Sequence, residues 1–83
     1  MYVISYDISS TRLRTKVAKE LENYGKRVQY SVFECRLTKR RFQELYGKLC
    51  RLTEGMEEGS IRFYDICENC ERKLKIVGIP KKE

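Results

Sequence analysis

The chain has 83 residues, with 18 Lys and Arg against 12 Asp and Glu for a net charge of +6. It is long enough for one domain with a modest core that a second copy would help to stabilise, and basic enough to favour a polyanionic partner, nucleic acid first. Histidine is absent, so any chemistry rests on carboxylates, hydroxyls, cations or a hard metal. No apolar run reaches the ~20 residues that span a bilayer, and the N-terminus reads as a strand rather than a charged leader, so a soluble, cytoplasmic protein is expected.

Residues 1–8, Met1-Tyr2-Val3-Ile4-Ser5-Tyr6-Asp7-Ile8, are β-branched and aromatic without a breaker and predict a buried strand. Asp7 puts a carboxylate where this strand gives way to a basic helix, a good place for a metal and a phosphate. Ser9-Ser10-Thr11 offers capping hydroxyls. The spacing of Leu13, Val17, Ala18, Leu21 and Tyr24 predicts an amphipathic helix over about 11–24, with Gly25 where a left-handed C-terminal residue is expected.

Residues 26–37 carry Val28, Tyr30, Val32 and Phe33 with no Gly or Pro to announce a turn, and by pattern alone read as one strand. A second helix fits 38–53, capped by Thr38, with Phe42, Leu45, Leu49 and Leu52 on one stripe. Its first turn, Lys39-Arg40-Arg41, sets three cations at the positive end of the helix dipole. That suits either an anion or a solvated charged turn.

An acidic turn from Gly55 to Gly59 precedes a strand over Ile61–Ile66. A Cys67-Glu68-Asn69-Cys70 connection then leads to a strand over Lys73–Val77, whose Leu74 and Ile76 alternate with lysines. Gly78, Pro80 and Lys81-Lys82-Glu83 close the chain as a polar tail or short edge segment. The order strand, helix, strand, helix, strand, strand predicts an α+β sandwich with two helices on one face of a sheet, in a single domain over 1–83.

Tyr6-Asp7-Ile8, then Arg14 and Val17, then the tract from Tyr24 through Gly25-Lys26-Arg27-Val28-Gln29-Tyr30-Ser31-Val32-Phe33 to Glu34 resemble the CRISPR-associated Cas2 family. Members are small endonucleases that accompany the integrase subunit in acquiring new spacers. The likeness runs from Met1 through the Cys67–Val77 region. The Arg27–Phe33 tract is its specific part, since Tyr-Asp-Ile recurs at Tyr64-Asp65-Ile66.

The resemblance implies a ferredoxin-like βαββαβ fold with an antiparallel sheet, and a homodimer in which a C-terminal edge segment of each chain lies on its partner's sheet. It further implies metal-dependent cleavage of RNA or double-stranded DNA. That fold demands two short strands within 26–37, turning near Gln29-Tyr30-Ser31. Carried over by position, Tyr6, Arg14, Lys16, Arg27, Ser31 and Phe33 join Asp7 as site residues. Arg14 and Arg27 would hold phosphates and Lys16 would act as a point charge. Tyr6 and Phe33 fit core or interface packing better than base stacking.

Hydrolysis of a phosphodiester without histidine calls for a metal such as Mg²⁺ or Mn²⁺, held by one or two carboxylates plus waters. Asp7 and Asp65 are the only aspartates. In this fold they stand at opposite ends of neighbouring antiparallel strands, roughly 15–20 Å apart at about 3.3 Å per residue. A two-carboxylate site therefore takes Asp7 from each protomer. Otherwise Asp7 would merely help Ser9 and Ser10 start the helix.

Two other roles fit the same residues less directly. A non-catalytic dimeric scaffold bridging integrase subunits would hold duplex DNA through its backbone. An RNA-recognition module on this topology is disfavoured, because no segment carries the glycine- and aromatic-rich signature with which such sheets stack bases. Cys67-x-x-Cys70 has metal-ligand spacing, but a four-thiolate zinc site would also need Cys35 and Cys50, and Cys50 falls on the second helix. Reduced thiols in a strand connection, or a local disulfide, are the expectation there.

Overall fold

Residues 1–79 are described by the computed structural model; Pro80 to Glu83, read from sequence as the end of a polar tail, lie outside the described residues. The elements run β1 (Tyr2–Asp7), α1 (Thr11–Glu22), β2 (Lys26–Gln29), β3 (Val32–Cys35), α2 (Lys39–Leu52), β4 (Ser60–Asp65) and a short α3 (Glu68–Glu71). The four strands form one antiparallel sheet in the order β2-β3-β1-β4. This is the ferredoxin-like βαββαβ arrangement, with β1 interior and paired on both sides.

The alternation of β1 divides its side chains between two environments. Ile4 and Tyr6 face the helices and are buried, while Val3 and Ser5 are half-buried on the other face and Asp7 is exposed at the strand end. Ile4 lies opposite Phe33 of β3 and Phe63 of β4, so one row of large apolar groups crosses the sheet. Val17, Ala18 and Leu21 of α1 and Leu45 and Leu49 of α2 close over that row. Phe42 of α2 stacks on Tyr2 with ring centroids 4.1 Å apart and meets Phe63 edge-on at 5.7 Å, extending the core along β4.

Both main helices start where their hydroxyl caps predict. Ser10 Oγ accepts from the Leu13 N–H at 3.2 Å and Thr38 Oγ1 from the Arg41 N–H at 3.2 Å. Helix α1 stops two residues short of the predicted end, with Asn23 as its C-cap. Gly25 is not the left-handed residue that its position suggested; the positive φ values belong to Gly55, Gly59 and Gly78. Gly25 is required for space instead. A Cβ there would collide with the Glu34 carbonyl oxygen and Cys35 Sγ, where the chain leaving α1 passes against β3.

Two further expectations change. The single strand that pattern alone reads over 26–37 is a hairpin turning at Tyr30-Ser31, as the fold required, with a bulge between Arg27 and Gln29. Neither turn residue has positive φ, so the tight mirror-image turns that glycine announces are not used. The strand predicted over Lys73–Val77 does not form. The Cys67–Cys70 connection is helical, Lys73 and Leu74 N–H groups finish its last turn on the Cys70 and Glu71 carbonyls, and the chain then runs exposed. An alternating pattern makes a strand only where a neighbour offers a ladder, and among the described residues this segment has none.

Gly25→Ala is expected to destabilise the fold by about 1–3 kcal/mol through overpacking against β3. Urea unfolding should report it as a lower midpoint with an unchanged slope.

Candidate nucleic-acid and metal site

Asp7 ends β1 on the face that the helices leave uncovered. Its strand partner is Ser60, and the preceding Gly59 packs so closely that a Cβ there would come within 2.9 Å of the Asp7 carbonyl oxygen. Gly59 holds φ +122°, a conformation open to glycine and strained for other residues. Capping of α1 by Ser10 leaves the Asp7 carboxylate free of the helix-starting role that was its structural alternative. Asp65 pairs with Tyr2, five residues away along the same ladder. At about 3.3 Å per residue that is roughly 17 Å, so the two carboxylates cannot share an ion within one chain.

On the helix-covered side of the same sheet end, Tyr6 organises the hairpin. Its hydroxyl donates to the Tyr30 carbonyl at 3.3 Å and accepts from Arg27 Nη2 at 3.1 Å, and its N–H donates to the Ser31 carbonyl at 3.1 Å. The Arg27 guanidinium lies 5.3 Å from the Phe33 ring centroid and 5.8 Å from that of Tyr30. Tyr6, Arg27, Ser31 and Phe33 are therefore brought together. Tyr6 and Phe33 are core groups, while Arg27 keeps an exposed side chain with donors to spare.

Arg14 and Lys16 stand apart from that cluster. Arg14 is spent on the β1–α1 loop: Nη1 donates to the Ile8 carbonyl at 2.8 Å and the Ser9 carbonyl at 3.2 Å, and Nη2 to Thr11 Oγ1 at 3.1 Å. Its first task is to fix the backbone that follows Asp7. Lys16 is exposed on α1. In the basic first turn of α2, Arg41 is already engaged, 2.9 Å from Glu44 Oε1 and 4.4 Å above the Tyr24 ring.

The donors fit a hard cation only in part. Asp7 offers one accessible carboxylate, suited to Mg²⁺ or Mn²⁺, which take oxygen ligands and keep several waters. Among the described residues no three acidic or thiol side chains gather into a metal-binding group. Asp65 is too far along the ladder to be a second ligand beside Asp7. The four thiols do not converge either, since Cys35 is buried under the helices while Cys50, Cys67 and Cys70 are exposed.

The family model for CRISPR associated protein Cas2 matches residues 1–74. The chain belongs to the Cas2 family. It is 48% identical over 80 residues to a protein of Synechocystis sp. named CRISPR-associated endoribonuclease Cas2 3, covering 96% of this chain and 86% of that one. Streptococcus pyogenes Cas2 superposes with a TM-score of 0.80 at 32% identity, covering 93% of this chain and 98% of that one. A chain of a partial Cas6-RT-Cas1–Cas2 complex does so at 0.79 and 33% identity, covering 92% and 82%.

Three features of this Cas2-family site escape a reading of the sequence. Gly59 looks like an ordinary turn residue until β4 is paired with β1. Tyr30 reads by residue type as a strand position, and although the family fold puts a turn there, its residue type does not announce that 71% of its surface is exposed. Tyr24 reads as the last apolar position of α1, yet its hydroxyl donates to Glu44 Oε1 at 3.0 Å, and Arg41 and Lys48 both approach its ring.

The thiols differ in a way that can be measured. The Cys70 backbone N–H donates to Cys67 Sγ at 3.3 Å, and this bond together with the Cys70 thiol holds the Cys67 thiol below its ordinary value. Cys70, as the donor, is raised. Burial pushes Cys35 up to about 11. A lower value means more thiolate at a given pH, so Cys67 is expected to be alkylated first at neutral pH and to lose that lead as the solution is made alkaline. Cys35 should react only on unfolding, as peptide mass spectrometry after timed alkylation would report.

Proposed function

We propose that the chain is a CRISPR-associated, metal-dependent endonuclease that cleaves phosphodiesters of RNA or double-stranded DNA during spacer acquisition. In this reading it works as a homodimer whose two Asp7 carboxylates hold one Mg²⁺ or Mn²⁺. The supporting observation is the exposed Asp7 at the end of β1 on the uncovered sheet face, with Asp65 excluded by five residues of register.

The dimer reading rests on surfaces that a single chain leaves unfinished. The uncovered face carries half-buried Val3 and Val32, and the segment after α3 exposes Leu74, Ile76 and Val77. A second copy on a twofold axis near the end of β1 would cover that face and bring Asp7 opposite Asp7. The exposed segment would then have the outer edge of a partner sheet on which to form the strand that its alternation encodes.

A divalent cation bound there would supply charge neutralisation and an activated water. The chain's own residues do the rest. Asp7 carboxylates fix the cation's position, and Arg14 holds the loop behind them. Arg27, oriented by the Tyr6 hydroxyl, grips a phosphate of the bound strand, and Lys16 adds a point charge further along α1.

A second role has its own support in the likeness to a chain of a Cas1–Cas2 assembly. In that role the dimer joins copies of the integrase subunit and its cations hold duplex DNA through the backbone. Both roles use the same basic surface.

Labelled single-stranded RNA and duplex DNA, incubated with Mg²⁺ or with EDTA, test the first reading. Asp7→Asn is expected to keep fold and dimer but lose metal-dependent cleavage, while Asp65→Asn keeps it. Full activity in purified Asp7→Asn would overturn the assignment, and binding without cleavage by the wild type would leave the scaffold role. In salt titrations, Arg27→Ala should reduce the slope of log affinity against log salt by about 0.7–0.9, the loss of one phosphate contact. Affinity that does not change with salt would remove the basic-surface argument.

A further inference from the structure

Tyr30 has no structural reason to be a tyrosine. It is the most exposed of the six tyrosines, at 71%, and its ring packs into no core group. Turn chemistry does not ask for it, because hairpin tips favour Gly, Asn, Asp, Pro or Ser. Its backbone is nonetheless fixed. The Tyr6 hydroxyl holds its carbonyl at 3.3 Å, and the Tyr6 N–H holds the Ser31 carbonyl at 3.1 Å. The ring is thus displayed from a rigid support.

Its neighbours supply a direction. The β1–β3 pairing ends at Ser5 and Val32, the Tyr6 N–H bond to the Ser31 carbonyl carries it one step further, and Tyr30 stands at the tip where the hairpin turns away. The Arg27 guanidinium stands 5.8 Å from the Tyr30 ring centroid and is itself tethered to Tyr6 at 3.1 Å. An exposed aromatic face beside a positioned cation matches what a nucleotide presents: a flat base and, a short distance away, a phosphate.

We propose that Tyr30 is a base-stacking platform for an unpaired nucleobase of the bound strand, with Arg27 gripping the adjoining phosphate. This rests on the nuclease reading above and adds a substrate preference to it, for strands that are single or locally opened. A base within an intact duplex has both faces covered by its neighbours and cannot stack on the ring.

The chain has no tryptophan, so Tyr30→Trp introduces a sole indole at the position in question. In EDTA, its emission would be titrated with single-stranded oligothymidylate, with an abasic strand of equal length and charge, and with a blunt duplex. Quenching by oligothymidylate is expected, with affinity about tenfold above that for the abasic strand. Wild type and Tyr30→Phe should show the same base dependence by anisotropy, while Tyr30→Ala should bind both strands alike with an unchanged salt slope. Equal affinity of the wild type for the base-bearing and abasic strands overturns the stacking proposal and leaves the nuclease reading standing. An indole with blue-shifted emission that no strand alters means that a protein surface covers the position, and also overturns it. Failure of every strand to bind would overturn both readings.

Discussion

Everything in this chain hangs on β1 being paired on both sides. Ile4 at its centre fixes Phe33 on one neighbour and Phe63 on the other, and the helices close over that row. The same strand sends Tyr6 to the helix-covered side and leaves Asp7 at its end on the opposite one. Core and site therefore share one six-residue strand with a period of two. A one-residue slip would exchange them, and the interior position of β1 opposes such a slip from both edges.

That arrangement explains how much could be read in advance. The strand, both long helices and their caps follow from periodicity and hydroxyls, because each is decided within a dozen neighbouring residues. Asp7 was legible as a carboxylate at a strand end, and its separation from Asp65 followed once the antiparallel pairing was assumed. The hairpin was not legible from residue types. Its turn is Tyr-Ser, its conformation uses no left-handed residue, and a bulge at Val28 absorbs the mismatch. Only the need for four strands placed it.

The remaining misreadings share one cause: a residue type was given its commonest job. Gly25 is small because β3 passes beside it, and conformational freedom has no part in it. Leu74 and Ile76 alternate as a strand would, but a strand also needs a partner, and alternation carries no information about which chain provides it.

The acidic turn before β4 has a loose end and a tight end. Around Gly55 an added Cβ would meet nothing within 4 Å, whereas at Gly59 it would press on the backbone of Asp7 and Ile8. Gly55 is required only by its own backbone, at φ +80°, so a change there stays local, whereas Gly59 acts as a stop that keeps variation in the turn from propagating into β1. For a labelled or tethered form of the protein, the exposed pair Glu57-Glu58 is accordingly the permissive place to open the chain, between Met56, which packs on the core, and Gly59, which is the residue to leave alone.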